Sequence, residues 1–141
     1  LRTQTPVFHL SWSHGAAGIV LASLQLQHHN PQISVEINIA LETIQKYGIW
    51  GMDNLAWGNF GRIETLLVAS QILNRPELLQ LARSWSIKLI EQAGAKGNFT
   101  LYDYIISPVH NPTFLHGTSG IGYQLLRLPH PELPSILSFD F

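Results

Sequence analysis

Phe114-Leu115-His116-Gly117-Thr118-Ser119-Gly120-Ile121-Gly122-Tyr123-Gln124-Leu125-Leu126-Arg127-Leu128 sets two glycines, three residues apart, at the head of a short apolar run. Such a stretch reads as a turn that passes straight into a helix. The same pattern occurs at Trp12-Ser13-His14-Gly15-Ala16-Ala17-Gly18-Ile19 and at Ala56-Trp57-Gly58-Asn59-Phe60-Gly61-Arg62-Ile63. Three copies in one short chain point to a repeated helical unit.

The segments between these turns alternate in character. After the first turn a helix is expected from about Ala16 to His28, apolar around most of its circumference and therefore buried. Asn30-Pro31 breaks it. Next comes an amphipathic helix capped by Ser34, with Ile37, Ala40, Leu41 and Ile44 on one face, Glu42 and Lys46 spaced for an ion pair, and Gly48 at its end. A second apolar helix follows the second turn, from about Asn59 to Leu73. Pro76 suits the first turn of another amphipathic helix, whose Leu78, Leu81, Ala82, Trp85 and Leu89 share a face and which Gly94 ends. Residues 99–106 lose the helical period and suggest a short hairpin or extended insertion. The third apolar helix spans 117–128, and Pro129, Pro131 and Pro134 leave an extended tail.

Buried and amphipathic helices in alternation predict an all-α fold in two layers, inner helices enclosed by outer ones. Each inner helix starts at a glycine pair, so their N-termini gather at one end. Glycine there permits close backbone approach and positive φ. Three inner and two outer helices are too few to close a barrel, so residues 1–141 read as the C-terminal portion of an α/α toroid.

Composition narrows the function. Charged residues are 12% and hydrophobic ones 45%, about half the usual charged share, which suits surfaces that meet more protein. The net charge is −1 with no basic cluster, giving no footprint for nucleic acid or an anionic membrane. No cysteine is present, so no disulfide or thiolate metal site exists within the chain. No apolar run is long enough to span a bilayer, and the default location is cytoplasmic.

Trp12-Ser13-His14-Gly15-Ala16-Ala17-Gly18-Ile19, Gly58-Asn59-Phe60-Gly61 and the run from Gly117 to Leu128 with Leu133-Pro134-Ser135-Ile136-Leu137 resemble the lanthionine synthetase C-like family over essentially the whole chain. The likeness is to the cyclase domain of class II lanthipeptide synthetases. It implies a toroid of inner and outer helices, and addition of cysteine thiols to dehydroalanine or dehydrobutyrine of a precursor peptide. It also implies one zinc ion, held by a Cys and by a Cys-His pair. Here those positions are Ser13, Ala56 and Trp57. A hydroxyl is a poor zinc ligand, and a methyl or an indole is none. The expectation is therefore no zinc and no other cofactor. The domain becomes a degenerate cyclase that binds precursor peptide or supports the rest of the toroid and an attached dehydratase. An active cyclase and a non-functional gene fragment stand as alternatives.

Among individual residues, His14 and His116 occupy equivalent places in two turns and are the candidates for residual proton transfer. The alternative is that each packs against its own turn. Trp57 is read as filling the space zinc leaves, or simply as packing. Asp53 and Glu64 flank the second turn as substrate-binding carboxylates or as merely exposed or capping ones. Arg127 is read as reaching the carbonyls that end its helix, and Trp50, Phe60 and Trp85 as core.

Overall fold

The computed structural model describes residues 9–103 and 110–139. Five α-helices are present among them: α1 (Ala16–Leu24), α2 (Pro31–Tyr47), α3 (Asn59–Ile72), α4 (Pro76–Lys96) and α5 (Thr118–Arg127), followed by a single 3-10 turn at Ile136–Ser138. No strand occurs among the described residues. Residues 99–103 are irregular, and the remainder of the expected insertion, 104–106, lies outside the described residues.

The layering follows the sequence pattern. Helix α3 is buried without a break from Asn59 to Ser70, because α1 packs on one side of it, α4 covers it from outside, and α5 touches it beyond. Helix α2 covers α1 in the same way, through Ile37, Ala40, Leu41 and Ile44, all buried. On α4 the expected face holds, with Leu78, Ala82, Trp85 and Leu89 buried. Helices α1, α3 and α5 are thus the inner layer and α2 and α4 the outer one, an arc of an α/α toroid. Helix α1 is not enclosed all round: Ile19 is 53% exposed, on the side that no described element covers.

Several helix ends differ from expectation. Helix α1 stops at Leu24 because the chain tightens into i→i+3 turns, with Leu26 N–H donating to the Ser23 carbonyl and His29 N–H to that of Leu26. Asn30-Pro31 starts α2 rather than merely interrupting the chain. The Asn30 side-chain oxygen accepts from Gln32 N–H at 2.9 Å and Pro31 occupies the first turn, so Ser34 lies inside the helix. The spaced Glu42–Lys46 ion pair does not form; Lys46 Nζ sits 5.7 Å from the Tyr47 ring centroid. Gly48 ends α2 at φ 66°, as expected. Gly94 is passed through, and α4 ends at Gly97, whose φ of 85° is left-handed.

The tail also departs from a plain extended run. Leu137 in the 3-10 turn is 3% exposed, and its carbonyl accepts from Trp12 Nε1–H at 3.0 Å. The end of the chain is thereby fastened to the first glycine turn.

Candidate functional site

The three glycine turns lie side by side and are joined through their backbones. Ser13 N–H donates to the Ala56 carbonyl at 3.1 Å, and Ala56 N–H donates to the Leu115 carbonyl at 2.9 Å. Residues 13, 56 and 115 are therefore structural equivalents, each two residues before the glycine that caps α1, α3 or α5.

The glycines are required by contact, not by φ. The capping glycines Gly15, Gly58 and Gly117 have φ of −167°, −113° and −128°, values open to any residue, so the expected positive φ is not what they supply. A Cβ on Gly61 would collide with the Leu55 carbonyl oxygen, and one on Gly120 with that of Phe114. In both cases the obstacle is the backbone six residues earlier, which cannot move aside.

Around this joined turn region the sequence candidates fall as follows. Ser13 Oγ–H donates to the Ala56 carbonyl at 3.0 Å and lies 2.7 Å from His14 Nδ1. The hydroxyl thus stands between the Ala56 carbonyl and the His14 ring, and the direction of its bond to the imidazole follows the ring's tautomer. His14 lies on the rim of three cavities, of about 780, 280 and 550 Å³. The His116 ring packs on Trp57, with centroids 4.3 Å apart at 60°. Trp57 also lines the 280 Å³ cavity with His14, so it adjoins both imidazole positions.

The chain's match to the lanthionine synthetase C-like protein family runs over residues 2–141. This chain belongs to that family. No curated protein and no solved structure matches it. Lanthionine synthetase C-like proteins are of the lanthipeptide-cyclase type, bind zinc and act on precursor peptides, so the fit of a zinc ion can be tested on the residues present. In this lanthionine synthetase C-like chain the positions matched to the family's zinc ligands, 13, 56 and 57, hold a hydroxyl, a methyl group and an indole. Among the described residues no group of three or more His, Asp or Glu converges to hold a metal. The donor set does not fit zinc.

Other expectations are corrected. Asp53 is 6% exposed and turned inward: Oδ1 accepts from Asn59 Nδ2 at 2.8 Å and Oδ2 from Thr100 N–H at 2.7 Å. Burial raises its pKa above the usual carboxylate range, against the lowering effect of those bonds. Glu64 and Arg127 are neither exposed carboxylate nor helix-end cap. Arg127 Nε–H donates to Glu64 Oε2 at 3.0 Å, at 2% and 1% side-chain exposure, and Ser135 Oγ–H donates to Glu64 Oε1. Trp50 is not core but 57% exposed; Phe60 and Trp85 are core, at 0% and 5%.

Sequence reading missed Asn59 and Arg62. Arg62 Nη2 donates to the Trp50 carbonyl at 2.8 Å and to Asn59 Oδ1, with Trp50 5.6 Å from the guanidinium carbon. Burial lowers its pKa to about 10, while Asp53 acts to raise it. A charged residue in the first turn of a helix otherwise buried on all sides is the signal that marks it.

Proposed function

We propose that residues 1–141 form a partial cyclase domain that lacks zinc-dependent thiol activation and serves as a peptide-binding or scaffold module in lanthipeptide biosynthesis. The observation that carries this is the donor set of the joined turns. Ser13 Oγ binds the Ala56 carbonyl and Trp57 lies against His116, so no set of metal ligands is offered there to hold an incoming thiol as a zinc thiolate. The partners are a precursor peptide, the remaining helices of the toroid and a dehydratase domain, and the setting is the cytoplasm.

A second reading keeps catalysis. His14, whose Nδ1 lies 2.7 Å from Ser13 Oγ, lines a cavity where a general base would act without metal. The two readings separate in one preparation. The full-length polypeptide is purified, dialysed and analysed for metal, then mixed with a dehydrated, cysteine-containing precursor peptide. The proposal expects no stoichiometric zinc, saturable binding of the peptide and no loss of free cysteine thiol. Stoichiometric zinc, or thioether formation abolished by His14→Ala, overturns it in favour of the catalytic reading.

A further inference from the structure

Arg62, one residue beyond the second Gly-x-x-Gly turn, is only 2% exposed. Both of its hydrogen bonds use Nη2, and its Nε–H has no acceptor. A buried cation with an unmade bond carries a desolvation cost that an added acceptor would remove. Asp53 does not play that part directly, because Asn59 stands between them: it accepts from Arg62 and donates to Asp53.

Arg62 lines the cavity of about 280 Å³ whose walls include His14, Trp50, Trp57, Met52 and Asp103. That volume holds several waters or the end of one side chain. The exposed indoles of Trp50 and Trp57 suit the methylene stem of such a group. Asp103 forms no ion pair with Arg62; it lies by Gly51, with Oδ2 3.3 Å from where a Cβ on that glycine would stand.

Resting on the peptide-binding reading, we infer that this cavity receives the carboxylate of an acidic side chain of the bound peptide. The planar guanidinium offers the donors that carboxylates match best, and Arg62 lines this cavity. Asp103 decides between anions. Its charge on the same wall repels a doubly charged phosphate more than a singly charged carboxylate. The position lies outside the three zinc-ligand positions and gives the joined turns a binding role that needs no metal.

The test uses the isotope-labelled full-length polypeptide and three probes: a capped glutamate, a capped glutamine and inorganic phosphate. The Arg62 Nε–H and Trp50 indole N–H resonances are followed during titration. Capped glutamate is expected to shift both saturably and to bind at least about tenfold tighter than capped glutamine, the equivalent of one charge-assisted bond. Arg62→Lys is expected to abolish that preference. Equal responses to glutamate and glutamine, no saturable response, or preference for phosphate each overturn the assignment, and the probe comparison needs no folded variant. The precursor peptide distinguishes the two levels of failure. If it binds while capped glutamate does not, the carboxylate site falls and peptide binding stands. If capped glutamate binds and the peptide does not, the peptide reading falls alone.

Discussion

The indole of Trp57 packs against the imidazole of His116, centroids 4.3 Å apart and tilted by 60°. This pair joins the second glycine turn to the third through side chains, where the Ala56 to Leu115 hydrogen bond joins them through backbone. In the family pattern position 57 carries a metal-binding imidazole. Here the same position supplies cohesion between repeats, worth roughly 0.5–1.5 kcal/mol for an aromatic pair beyond its buried area.

Rebuilding the ligand set should give metal binding, because the Ser13 to Ala56 backbone bond holds positions 13, 56 and 57 side by side. The triple change Ser13→Cys, Ala56→Cys and Trp57→His is expected to take up one zinc ion per chain after dialysis. Trp57→His alone should take up none, since one imidazole is not a zinc site. Elemental analysis and cobalt absorption spectra distinguish the cases. A triple variant that folds and remains metal-free would show that the turns are no longer spaced for coordination.

Gly61 in the second turn and Gly122 within α5 should respond oppositely to alanine. Gly61→Ala sets a methyl against the Leu55 carbonyl and is expected to cost upwards of about 1–3 kcal/mol, the range for an overfilled core. Gly122→Ala meets nothing within 4 Å on exposed α5 and is expected to stabilise by up to about 1 kcal/mol. Urea denaturation of both variants gives the signs directly.

Glu64 and Arg127 form a buried ion pair between α3 and α5, 63 residues apart in sequence. Removing one partner, as in Glu64→Gln or Arg127→Met, leaves a charge uncompensated and should cost about 3–5 kcal/mol. The double variant should cost clearly less than the sum of the singles. A double-mutant cycle by chemical denaturation measures the coupling; additivity would mean that the pair is no more than a contact.

Asp53 gives stability a pH dependence of known sign. Burial raises its folded pKa above the ordinary value of 3.8. The native state therefore binds more protons than the unfolded state between those two values, and stability falls as pH rises through that window. Asp53→Asn removes the group. Its stability deficit relative to the natural protein should be larger on the acid side of the window than at neutral pH. A deficit that instead grows toward neutral pH would mean that the bonds from Asn59 and Thr100 outweigh desolvation.

Much of the fold was legible because it rests on local rules. Glycine pairs, helical periodicity at Ile37, Ala40, Leu41 and Ile44, and Pro76 at a helix start each act within a few residues. The errors have local causes as well. Asparagine and serine are both good helix caps, and only Pro31, fixed for the first helical turn, favours Asn30 over Ser34. Glycine at 94 or at 97 could end α4, and the left-handed φ falls at Gly97. The site was legible only as absences: serine, alanine and tryptophan where ligands would be.

What the sequence by itself determined is the alternation of inner and outer helices and the glycine turns, since residue type and spacing suffice for both. Tertiary structure alone decided that Glu64 reaches Arg127 and Ser135, that Ser13 Oγ lies between the Ala56 carbonyl and His14, and that Arg62 is buried beside a cavity with one donor unpaired. Those relations join residues from separate turns and helices. A charged side chain carries no mark of whether the fold will pair it, bury it or leave it facing a ligand.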